Sequence, residues 1–157
     1  MRTMLGGMNP ADPTLTEMLM QATERDLTTE EIGEVNRSNP GVDPHMGIRY
    51  TRIGPKGVRA RLKVGPEHLQ PFGLVNGGVL ALLAESAGSI MAIIAAKAVA
   101  VGVNNNTDFI KSVTSGVIEV EAVPVHVGGT TQLIEITMKN NGQVAARSRL
   151  RTLSLRS

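Results

Sequence analysis

The chain has 157 residues, enough for one domain with a sizeable core, and 41% hydrophobic against 19% charged residues is a globular balance rather than a disordered one. Its only aromatic residues are Tyr50, Phe72 and Phe109, so the core must be aliphatic and base stacking has little to work with. The absence of cysteine excludes disulfides, thiolate metal sites and cysteine nucleophiles, and a net charge of +2 does not by itself call for nucleic acid.

The opening MRTMLGGMNPADP has no apolar run long enough for a signal peptide, which sets the expectation of a cytoplasmic protein. Thr14 with Glu17, and Thr28 with Glu31, have the spacing of capping boxes and predict helices. Asn39-Pro40-Gly41 then breaks the chain. Residues 1–44 therefore read as a helical arm covering a domain at 45–157. Strand patterning starts near Met46, where Ile48 and Tyr50 alternate with Arg49 and Thr51. After the turn Gly54-Pro55-Lys56-Gly57, Val58, Ala60, Leu62 and Val64 alternate with Arg59, Arg61 and Lys63.

The next element is a long apolar helix from about Gly77 to Lys97. The apolar run could suggest a membrane span, but Glu85, Lys97 and the strand patterns that follow favour a buried central helix. Four more strands are predicted. The first covers Val99 to Phe109, and the second places Ile118, Val120 and Ala122 opposite Glu119 and Glu121. After Gly128-Gly129 the third carries Ile134, Ile136 and Met138, and Asn141-Gly142 is a strong hairpin signal. The last alternates Val144, Ala146, Ser148 and Leu150 with Arg147, Arg149 and Arg151, whose row reads as a solvated sheet face. One apolar helix among antiparallel strands is an α+β pattern, with the sheet wrapped on the helix.

The chemistry concentrates at QPFGLVNGGVLALLAES, residues 70–86. Asn76 is a good helix N-cap. Gly77 and Gly78 in the first turn either permit tight packing or let a ligand approach the backbone, where free N–H groups and the helix dipole favour an oxyanion. Glu85 lies among Leu82, Leu83, Ala84, Ala87 and Ile90, and Ser89 shares its face four residues on. Eight residues separate Gly77 from Glu85, about 12 Å along a helix. If both act on one carbonyl, the carboxylate must come from a second copy of the chain, so a catalytic motif here predicts a homodimer. The scattered His45, His68 and His126 lack metal-ligand spacing, and no metal is expected.

The run Gln70-Pro71-Phe72-Gly73-Leu74-Val75-Asn76-Gly77-Gly78, followed by Glu85 and Ser89, resembles the hotdog-fold acyl-CoA thioesterases. It is most similar to the PaaI-like branch that includes 1,4-dihydroxy-2-naphthoyl-CoA hydrolases. The resemblance continues through residues 102–109 and 124–128, and it covers about 46–155. It implies an antiparallel sheet around a central helix, dimers that can pair into tetramers, and hydrolysis of an acyl- or aryl-CoA thioester. Glu85 would be nucleophile or general base, and the Gly77 N–H would polarise the carbonyl. Gln70 would lie beside the thioester, and Ser89 would support Glu85. Lys111, Phe109, Ser112 and His126 would line the CoA portion, with Lys111 near the nucleotide. No cofactor beyond the substrate's own CoA is implied, nor any nucleic-acid or membrane partner.

The family's usual histidine before the paired glycines is Asn76 here, which can donate a hydrogen bond but cannot shuttle a proton. That departure leaves a second reading, an acyl-CoA binding protein without turnover. A dehydratase would call for a histidine paired with an acid, and the helix holds none.

Overall fold

A computed structural model describes residues 13–155 of the chain. Three helices come first: α1 (Pro13–Gln21), α2 (Thr29–Ser38) and the single turn α3 (Val42–His45). Thr28 caps α2 with both reciprocal bonds of the expected box: its Oγ1 accepts from the Glu31 N–H at 3.3 Å, and its own N–H donates to Glu31 Oε2 at 2.7 Å. The Thr14 side chain, and with it the earlier proposed box, lies outside the described residues.

Six strands and one long helix follow: β1 (Ile48–Gly54), β2 (Gly57–Lys63), α4 (Gly77–Ala96), β3 (Ala100–Phe109), β4 (Val117–Val127), β5 (Thr131–Asn140) and β6 (Gln143–Ser154). Every strand pairing is antiparallel, in the order β1-β2-β4-β5-β6-β3. Asn141 and Gly142, at φ 50° and 75°, make the β5–β6 turn; only residues that tolerate positive φ fit there. The helix ends at Ala96, and Lys97, the sequence-based end, stands just past it as a left-handed C-cap at φ 52°.

α4 lies across the inner face of the sheet. Leu80, Leu83, Ala84, Ala87, Met91 and Ile94 bury against Ile118, Ile134, Ile136, Met138 and Leu150. Contact is closest at Gly88, where a Cβ would stand 2.7 Å from Leu150 Cδ2 and 3.2 Å from Ile136 Cδ1. The arm joins the same core through Leu15, Met18, Leu19, Ala22, Leu27 and Val35.

The two edges of the sheet are treated differently. At β1 the Leu27 N–H donates to Ile53 O at 2.9 Å. Asn36 also pairs with the Tyr50 backbone: its Nδ2 donates to Tyr50 O at 2.9 Å, and the Tyr50 N–H donates to its Oδ1 at 2.8 Å. A side chain thus substitutes for a neighbouring strand. At the other edge β3 has no such cover among the described residues, and Val101 and Val103 on it are exposed.

Candidate active site

Glu85 projects from the middle of α4 toward β3 and is half-buried. Its Oε2 accepts from Asn105 Nδ2 at 3.0 Å, and the same amide donates to Ala81 O at 3.0 Å. Asn105 Oδ1 in turn accepts from Thr107 Oγ1 and Ser148 Oγ, both at 2.8 Å. The carboxylate is therefore oriented by an amide whose own flip is set by two hydroxyls. Ser89, the support suggested by the helical spacing, sits farther off, its Oγ 3.5 Å from Glu85 Oε1. Gly102 on β3 underlies the same oxygen, and a side chain there would overlap Glu85 Oε1.

The N-terminal end of α4 forms a second cluster. Asn76 caps the helix, its Oδ1 accepting from the Gly78 N–H at 2.7 Å, which leaves Nδ2 on the exposed side. The Asn76 N–H is itself anchored on His68 O at 2.9 Å. The Gly77 N–H has no acceptor among the described residues. The Phe109 ring packs over Gly77 so closely that a Cβ there would stand 2.7 Å from Phe109 Cζ. Gln70 shapes the loop before the helix: its Oε1 accepts from the Phe72 N–H at 2.8 Å, and its backbone N–H donates to Leu74 O at 2.8 Å. Its side-chain NH2 is left to donate outward.

The remaining candidates divide between the two ends of the sheet. Lys111 and Ser112 follow Phe109 at the Gly77 end, in a small groove with Asn140, Asn141 and Gln143, and Lys111 Nζ donates to Gln143 Oε1. His126 lies near the other end, paired with Leu133 beside a bulge in β4 and exposed. Within one chain it is not brought together with Lys111. The broad grooves on the outer sheet face are lined by residues such as Arg59, Glu121, Arg147, Arg149 and Arg151, and they include neither Glu85 nor Gly77. His68, buried, accepts the Gly65 N–H on Nδ1 at 2.8 Å and lies 3.1 Å from Met46 O through Nε2, a structural role. Among the described residues no group of acidic and histidine side chains could hold a metal ion.

Two features escaped the sequence reading. Asn105 is one; three successive asparagines in a strand, where asparagine is disfavoured, were the available signal. The other is Asp43 of the arm, buried against α4, which no local pattern marks.

The sequence pattern of the thioesterase superfamily matches residues 72–146, the span from Phe72 before α4 into β6. "Putative esterase Rv1847" of Mycobacterium tuberculosis is 39% identical over 119 residues, covering 72% of this chain and 85% of that protein. The chain belongs to the thioesterase superfamily. The solved structure of that mycobacterial protein aligns with a TM-score of 0.72 over 73% of this thioesterase and 96% of its own chain. "Proofreading thioesterase EntH" of Cronobacter turicensis is 33% identical over 111 residues, 69% of this chain and 81% of that one. The structure of thioesterase HI1161 from Haemophilus influenzae, 26% identical, aligns at 0.72 over 82% of this chain and 91% of its own. The six-stranded antiparallel sheet around α4 is the hotdog fold, and the thioesterase is a thioester hydrolase.

Proposed function

We propose that this thioesterase hydrolyses an acyl-CoA or aryl-CoA ester, with Glu85 as the reacting carboxylate and the Gly77 N–H as the oxyanion donor. The observation that carries the reading is the hydrogen-bonded orientation of Glu85 beside the uncovered edge β3, on a helix whose first N–H is free. The carboxylate either attacks the carbonyl carbon, forming an anhydride that water then opens, or takes a proton from water as that water attacks. In both routes the C–S bond breaks, CoA leaves as the thiol and the acid is released.

Gly77 and Glu85 of one helix are about 12 Å apart, so the donor and the carboxylate of one site come from two copies of the chain. Exposed Val101 and Val103 on a strand whose outer edge has no neighbour among the described residues support assembly through β3 into a homodimer, which could pair further into a tetramer. Beside the carbonyl, Gln70 Nε2 and Asn76 Nδ2 supply further donors, and Ser89 supports Glu85 through its long contact. Phe109, Lys111 and Ser112 at the Gly77 end, and His126 at the other, line the path of CoA.

The test is thiol release by purified protein from hexanoyl-, palmitoyl- and benzoyl-CoA, with Glu85→Ala in parallel. The expected outcome is turnover of at least one ester and a loss of about a hundredfold or more in the variant. Full activity in Glu85→Ala, or in a protein that sedimentation shows to be monomeric at assay concentration, would refute the two-copy carboxylate site.

A further inference from the structure

Adjacent residues on one turn of α4 are held from opposite edges of the sheet. Glu85 is tied to Asn105 on β3, one edge strand. Ser86 is tied toward the other edge: its Oγ donates to Asp43 Oδ1 at 2.6 Å. Asp43 Oδ2 accepts from the Tyr50 hydroxyl on β1 at 2.6 Å and from Asn39 Nδ2 at 3.0 Å. Asp43 is 8% exposed and Tyr50 3%, and among the described residues Asp43 has no cationic partner.

A buried carboxylate held by neutral donors alone is a costly way to cover a helix, since an apolar side chain would do so without desolvating a charge. The geometry explains what the carboxylate adds. On the buried side of α4 near residue 85, the small residues Ala84, Ala87, Gly88 and Ala92 stand between the larger Leu80, Leu83 and Met91. Leu83 and Met91 key the helix into the core, and polar ties on the residues between them add a directional constraint on its rotation about its axis. Successive helix positions lie about 100° apart, so ties on residues 85 and 86 that pull toward opposite edges resist rotation in both senses.

We propose that Asp43 is a positioning residue: through Ser86 it sets the rotation of α4, and so the place of the Glu85 carboxylate against Asn105. The inference rests on Glu85 being the reacting group. It gives the arm a part in the chemistry that its distance in sequence conceals.

Ser86→Ala is the decisive variant, because it removes the tie from the helix while leaving Asp43 its bonds to Tyr50 and Asn39. Asp43→Asn is the second. Rates are taken with the best-hydrolysed ester of hexanoyl-, palmitoyl- and benzoyl-CoA, on protein whose melting curve shows it folded. The side-chain amide signals of Asn105 are followed by NMR, with Glu85→Ala as reference. The expected result for Ser86→Ala is a fall in kcat of about tenfold with KM within about twofold. The Asn105 amide signals should also shift, although Asn105 lies on the far side of the helix from the substitution. A kcat within about twofold of the parent, or Asn105 signals that stay in place while Glu85→Ala moves them, would overturn the proposal. Should Glu85→Ala keep full activity, the carboxylate reading itself fails, and the NMR arm still judges whether Asp43 sets the helix.

Discussion

Gly102→Ala separates the position of Glu85 from the stability of the fold. Gly102 lies in edge strand β3, and its φ is not in the left-handed region, so alanine brings no backbone strain. The new Cβ would overlap Glu85 Oε1 and sit 3.4 Å from Glu85 Cδ. The obstructed atom is the far end of a flexible, half-buried side chain, which can swing away. An ordinary contact is restored if the carboxylate retreats by about an ångström, and that retreat breaks its bond to Asn105. A displacement of that size at a reacting group costs on the order of a hundredfold in rate. The stability change should be that of a partly solvated hydrogen bond, within about 1 kcal/mol, or about 2–4 °C in a chain of this size. The assay pairs thermal melting with thiol release from the best CoA ester. A rate loss of ten- to hundredfold at nearly constant Tm is expected. An unchanged kcat would mean that the carboxylate does not react from this position, and would remove the main support for the proposed site.

Asn76→Asp keeps an oxygen for the Gly78 N–H and places a negative charge at a helix N-terminus, so stability should hold or rise by a few tenths of a kcal/mol. It removes the Nδ2 donor, so the rate should drop about tenfold or more; an unchanged rate would leave Asn76 only its capping role. Gly88→Ala should lower stability by about 1–3 kcal/mol in a denaturant titration, because its Cβ meets Leu150 Cδ2 at 2.7 Å within the core; a stabilised variant would show that the core yields there. Burial, then the charge and hydrogen bond of Asp43, push the Tyr50 phenol well above its ordinary value of 10.0. The unfolded tyrosine therefore loses its proton first as pH rises, and its contribution, complete below the unfolded value, is lost progressively above it. Tm should fall above about pH 10 by more in the parent than in Tyr50→Phe, and equal slopes would contradict the assignment.

Much of the fold is legible locally because each element announces itself within a few residues. Period-two alternation sets the faces of β2, β4 and β5, since a slip of one residue would turn Ile118, Val120 and Ala122 to solvent. Asn141-Gly142 can adopt the positive φ of a tight turn, and Asn76 can cap a helix, whatever lies elsewhere in the chain. The separation of Gly77 from Glu85 is likewise a property of the helix alone, and the proposal of a site shared by two copies follows from it.

Tertiary structure alone decided what those elements meet. Asn105, not only Ser89, orients Glu85, because antiparallel pairing with β6 places β3 beside the open flank of α4. Gly77 is small for Phe109 as well as for any ligand, a contact across 32 positions of sequence that no local pattern encodes. Asp43 looks like an ordinary polar residue of a covering arm until Tyr50 and Ser86 close on it from 7 and 43 positions away. Local sequence dictates backbone conformation and which face is apolar, through sterics and periodicity. The partners of a buried polar group depend on which strands become neighbours, and that is settled only when the whole sheet closes on its helix.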